Sequence, residues 1–163
     1  MPSNKDRLYV TLFGRGGAPK MEGKEDTSKG MRYHAKEVLG PEGYKWAFEE
    51  KSCRLLPTAM LLVRVMIAKV ENKNRLIQII RNTPIRPDVP GWNCVGWVQE
   101  ALQRLEADDK ALGTSVLEWT KVRDAAMEYC QKKVDEHRFD GKVTYDMEKV
   151  PTFDLLEGKE TVV

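Results

Sequence analysis

Apolar and polar residues alternate along the first part of the chain and then change period. Leu8-Tyr9-Val10-Thr11-Leu12-Phe13 is rich in β-branched and aromatic residues, which predicts a strand. From Met31 to Val38 the period is two: Met31, Tyr33 and Ala35 share one face, and Arg32, His34 and Lys36 share the other. Tyr44, Trp46 and Phe48 alternate in the same way after the turn sequence Gly40-Pro41-Glu42-Gly43, so the two runs predict an antiparallel hairpin. Leu61 to Ile67 is a short apolar run whose β-branched residues favour a strand over a buried helix. Gly14 to Gly30 reads as a turn-rich, charged loop.

Beyond Asn72 the period becomes helical. Asn72 is placed to cap a short helix through Leu76, Ile77 and Ile80 that ends at Asn82-Thr83-Pro84. A Pro-rich connection, Pro84 to Pro90, leads to a second helix, capped by Asn93, with Val98, Ala101, Leu102 and Leu105 as its apolar stripe. Ser115-Val116-Leu117-Glu118 has the spacing of a capping box. It predicts the start of a long helix with Trp119, Val122, Ala126, Tyr129 and Cys130 inward, fading at His137 to Gly141. The chain from Lys142 reads as an extended tail packed through Tyr145, Phe153 and Leu155. The pattern is that of one α+β domain over 1–163: mainly strands in 6–70, mainly helices in 72–138, an extended tail in 142–163. An antiparallel sheet from the N-terminal half is packed by helices from the C-terminal half.

The length, 163 residues, suits a single domain with its own core. With 27 basic and 25 acidic residues the net charge is only +2, a dense but balanced distribution that does not favour nucleic acid or an anionic membrane as partner. No apolar run is long enough for a membrane span, and Met1-Pro2-Ser3-Asn4-Lys5 lacks the apolar core of a signal peptide, so a cytoplasmic location is expected. Cys53, Cys94 and Cys130 have neither disulfide nor zinc spacing and read as thiols in a reducing compartment. Gly14-Arg15-Gly16-Gly17 lacks the spacing of a phosphate loop, and no cofactor or metal is expected.

Chemistry is concentrated at Gly91-Trp92-Asn93-Cys94. A cysteine in the first turn of a helix meets the positive end of the dipole, which favours the reactive thiolate. Cys94 therefore reads either as a nucleophile or as a small core residue on the stripe of Val98 and Ala101. A cysteine nucleophile needs a base, and the chain has two histidines. His34, between Arg32 and Lys36, reads as a neutral strand imidazole, either solvated or acting as base or orienting group. His137 reads as a surface residue at a helix C-terminus. Backbone N–H groups at Cys94 and Val95, beside Asn93, are the candidate oxyanion and orienting groups.

The run Asn93-Cys94-Val95-Gly96-Trp97-Val98, preceded by a strand carrying His34, resembles the nucleophile motif of permuted papain-like proteins, the NlpC/P60-like and lecithin:retinol acyltransferase-like families. Lys5-Asp6-Arg7-Leu8-Tyr9-Val10, Gly16-Gly17-Ala18-Pro19, Tyr33-His34-Ala35-Lys36-Glu37, Gly91-Trp92-Asn93-Cys94, Leu112-Gly113-Thr114-Ser115 and Arg138-Phe139-Asp140-Gly141 are similar, over nearly the full length, to a family of small, mostly fungal proteins with no established activity. The first resemblance implies a cysteine hydrolase or acyltransferase acting on an acyl, ester or amide substrate. Cys94 matches its nucleophile and His34 its orienting residue. Those enzymes carry their base on a His-Trp strand, whereas here Glu25-Asp26-Thr27-Ser28-Lys29-Gly30 runs straight into Met31-Arg32-Tyr33-His34. With that strand missing, the alternative is a catalytically inactive binding or scaffold module of the same fold, with a protein partner.

Overall fold

A computed structural model describes residues 6–13, 20–24, 29–54, 61–146 and 149–163. The alternating segments are strands: β1 (Arg7–Phe13), β2 (Lys20–Lys24), β3 (Lys29–Gly40), β4 (Gly43–Arg54) and β5 (Leu61–Val70). Helices α1 (Lys73–Arg81), α2 (Cys94–Asp108) and α3 (Trp119–Asp135) follow, with β6 (Leu112–Ser115) between the last two. The tail forms β7 (Thr152–Asp154) and β8 (Lys159–Val162). All strands join one eight-stranded sheet in the order β4-β3-β2-β1-β5-β7-β8, with β6 also paired to β5. The class is α+β, as the sequence predicts.

The β3–β4 hairpin pairs without interruption from Lys29↔Arg54 to Gly40↔Gly43. Its turn requires a left-handed residue, supplied by Gly43 at φ 106°. The neighbouring pairings are antiparallel, but β7 lies parallel to β5, aligning Val65 with Phe153.

Strand alternation assigns two faces. On the front, Leu8, Val10, Leu12, Tyr33, Ala35, Val63, Val65 and Ile67 are buried against the helices. The helices contribute Leu76 and Ile80 from α1, Trp97, Val98, Ala101, Leu102 and Leu105 from α2, and Val122, Ala126 and Tyr129 from α3. Trp97 is fully buried and donates from Nε1 to the Thr83 carbonyl at 3.2 Å. On the back, Phe13, Leu61 and Val150 form a small separate apolar cluster. The same face buries polar groups: Thr11 stands opposite Arg64 on β5, and Arg64 opposite Thr152 on β7.

Three expectations change. The stretch read as a loop contains β2, which pairs with β1 on one side and β3 on the other. Lys-Met-Glu-Gly-Lys has no strand-like alternation; its extended form answers the backbone hydrogen-bonding needs of two neighbours rather than its own propensity. This strand lies between β1 and β3 and makes that part of the sheet continuous. Ser115 is not a helix cap: it ends β6 opposite Ala68, and Val116 continues the pairing by donating to the Ile67 carbonyl at 2.8 Å. The N-cap of α3 is Glu118, whose side chain makes no capping bond. Finally, the tail is not merely extended, since β7 and β8 complete one side of the sheet. Residues 14–19, with the Gly14-Arg15-Gly16-Gly17 and Gly16-Gly17-Ala18-Pro19 motifs, lie outside the described residues.

Candidate functional site

Cys94 is the first residue of α2. Gly91 turns the chain at φ 76°, and the Trp92 N–H closes the turn on the Val89 carbonyl at 3.1 Å. Asn93 then extends at φ −149° and its Oδ1 accepts from the N–H of Val95 at 2.9 Å and of Gly96 at 3.4 Å. This is the predicted cap, and it satisfies two of the donors a helix start leaves open. The Trp92 ring lies so close to Gly96 that a Cβ there would stand 3.2 Å from it, and it meets Trp46 edge-on at 5.6 Å. A side chain at that position would require the Trp92 ring to shift by a few tenths of an ångström. The Cys94 side chain is half-buried and packs against the front core, on the stripe of Trp97 and Val98.

The capping geometry alters the oxyanion reading. The Val95 N–H serves the Asn93 side chain, so Asn93 and Val95 work together as the cap of α2.

His34 lies on the back of the sheet. Its neighbours Tyr33 and Ala35 belong to the front core with Trp97 and Val98, Phe48 meets Trp97 at 5.7 Å, and β3 pairs with β4 without a bulge. Strict alternation therefore directs His34 and Glu49 away from α2. The candidate pair is thus not assembled: Cys94 is on the helix side and His34 on the opposite side.

The His34 side chain is also buried rather than solvated, at 5 % exposure. Nε2 lies 2.7 Å from Glu49 Oε1, and because a carboxylate only accepts, Nε2 carries the proton. Lys36 Nζ reaches the other oxygen, Oε2, at 2.6 Å. The hydrogen bonds from Lys36 and from His34 hold the Glu49 carboxyl down at about 2. The two cations flanking His34 in sequence are thus both occupied: Lys36 by Glu49, and Arg32 by the Phe13 ring, 4.7 Å from its centroid. Glu49 was not singled out by sequence, yet the signal was present. Each step back from the Gly40–Gly43 turn pairs one more residue on each arm, and that register sets His34 against Glu49.

The remaining candidates fall elsewhere. His137 is exposed at φ 60° after α3, its Nδ1 2.7 Å from Asp140 Oδ2. Cys130 is a half-buried thiol whose pKa burial pushes up. The Cys53 side chain lies outside the described residues. A cleft of about 290 Å³, lined by Leu105, Glu106, Asp109, Leu117 and Lys121, opens at the end of α2 remote from Cys94. A second, of about 30 Å³, lies between α1 and the sheet beside Leu76 and Tyr33. Neither is lined by Cys94 or His34. Among the described residues no cluster of His, Cys, Asp and Glu is suited to a metal ion, and no helix is long and apolar enough to cross a membrane.

Residues 5–162 match the model of a family of unknown function, DUF6914, and the chain belongs to that family. No curated protein and no solved structure matches it.

Proposed function

We propose that this chain is a non-catalytic binding module on a frame of the NlpC/P60-like, permuted papain-like type. The frame is supported by a helix that opens on Asn93-Cys94 and packs across a mainly antiparallel sheet. The binding reading rests on one observation: Cys94 and His34 lie on opposite faces of that sheet. A thiol hydrolase or acyltransferase needs its base within hydrogen-bond reach of the sulfur. A sheet stands between these two, and the imidazole N–H is directed at Glu49. The engaged Val95 N–H argues in the same direction.

The competing reading is thiol chemistry by Cys94 with a base other than His34. It is favoured by the placement of a half-exposed thiol at a helix N-terminus. Alkylation by iodoacetamide, followed residue by residue against pH, separates the two. Under the binding reading, Cys94 reacts no faster than Cys130 below pH 7, and His34→Ala leaves its rate unchanged. A Cys94 that alkylates much faster than Cys130 at pH 6, with turnover of an ester or thioester lost in Cys94→Ser, overturns the binding reading.

A further inference from the structure

Strand β4 ends the sheet on its β3 side, among the described residues, so one row of its N–H and C=O groups faces outward. An open edge of this kind either carries charges that keep it single or is completed by another strand. Tyr44, Lys45 and Lys51 are exposed, and Trp46 to Glu50 are half-exposed. Exposed apolar side chains also gather at the turn of this hairpin, with Val38 at 42 %, Leu39 at 69 % and Tyr44 at 70 %.

We infer that β4 pairs antiparallel with β4 of a second copy of this chain, about a two-fold axis through Ala47. Residues directly opposite in such a pair point to the same side of the sheet, so each register can be judged by its side-chain matches. Centring on Phe48 sets Lys45 against Lys51. Centring on Glu49 or Glu50 sets that carboxylate against its own copy, and centring on Trp46 matches no charges at all. The Ala47 register is different. It places Lys45 opposite Glu49, Trp46 opposite Phe48 and Tyr44 opposite Glu50, each twice by symmetry.

The matches respect the two faces. Trp46 and Phe48 already pack against the front core, so their pairing would run one aromatic strip across both copies. Lys45 and Glu49 share the back, where the Glu49 carboxylate remains ionised beside Lys36. A second copy is thus an occupant whose charges and rings complement the edge in a single register. Cys94 takes no part in this pairing, which stands whichever way the alkylation experiment falls.

The bland alternative is that Lys45 and Lys51 simply guard a single edge. Sedimentation velocity on the full chain over a wide concentration range, combined with cysteine cross-linking, distinguishes them. Ala47→Cys would bring its two copies to Cα distances of about 5 Å, within disulfide reach, whereas the two copies of Lys45→Cys would lie about 13 Å apart. The expected result is a concentration-dependent dimer, rapid covalent dimerisation of Ala47→Cys under mild oxidation, and none above wild-type background for Lys45→Cys. Lys45→Glu should raise the dissociation constant about tenfold, and Lys45→Arg should leave it unchanged. A monomer at every concentration overturns the proposal. So does a dimer that Lys45→Glu leaves intact and that Ala47→Cys cross-links no faster than Lys45→Cys. Circular dichroism of each variant excludes loss of fold as the cause.

Discussion

The two faces of the sheet solve burial in opposite ways. The front is apolar and is sealed by three helices, with Trp97 at its centre and Cys94 at its margin. The back buries the polar side chains His34, Thr11, Arg64 and Thr152 among Tyr9, Met66 and a small apolar cluster. Burial therefore does not by itself mark a residue as core or as site. A half-buried thiol on the apolar face and a buried imidazole on the polar face are both explained by what lies next to them. Cys94 and His34 lie on different faces of the sheet, so neither is within hydrogen-bond reach of the other.

The comparison can be tested by substitution, beginning where the largest effect is expected. Trp97→Ala should cost about 3–5 kcal/mol, because it opens a void under α2 and abandons the Thr83 carbonyl. Urea unfolding measures it, and a loss below about 1 kcal/mol would show that the front is not the principal core. On the back, His34→Ala should cost about 1–3 kcal/mol by removing a buried hydrogen-bond partner of Glu49. Glu49 adds a pH signature. Its carboxyl sits at about 2 in the folded chain against an ordinary 4.5, so the stability it contributes is complete above about pH 4.5 and is lost as pH falls towards 2. Glu49→Gln should flatten the stability profile in that window. An unchanged profile would mean that the carboxylate is not held as described.

Smaller effects separate local signals. Asn93→Ala should cost about 1 kcal/mol through loss of the cap, while Ser115→Ala should cost less than about 0.5 kcal/mol because Ser115 caps nothing. Comparable losses at the two positions would contradict the assignment of their roles. The smallest expected number is also the most direct. A double-mutant cycle between Cys94→Ala and His34→Ala should give an interaction below about 0.5 kcal/mol, as for separated sites. A larger coupling would place the two residues in one site after all.

Much of this was legible in the sequence, and the pattern of success is physical. Asn72 and Asn93 were readable because a cap is a local bargain between a side chain and the next turn. The hairpin was readable because Gly40-Pro41-Glu42-Gly43 sets its own register. Alternation even placed His34 opposite Tyr33 and Ala35. What it did not provide was the face on which α2 would pack, and a resemblance between motifs does not supply that. Strands β2, β6, β7 and β8 were illegible for a related reason. All are short or low in propensity, and β6 and β7 pair with β5, a partner distant in sequence. Ser115 had the spacing of a cap but was drawn into the sheet edge.

One buried cation ties the end of a helix to the tail of the chain. Lys133 of α3 is 1 % exposed, and its ammonium is answered by Glu160 of β8, with Glu136 at 3.5 Å. Tyr129, one turn earlier, donates to the same Glu160 carboxylate at 2.6 Å. Burial raises the Glu160 pKa, but the hydrogen bonds from Lys133 and Tyr129 outweigh it and keep the carboxyl below its ordinary range. An ammonium does not leave water without its counter-charge. The last turns of α3 and β8 therefore share one buried ion pair, and β8 is held in turn by β7, which lies parallel to β5. Helix end and tail form one cooperative unit, so amide exchange in both should slow and quicken together, well apart from the hairpin at the far side of the sheet.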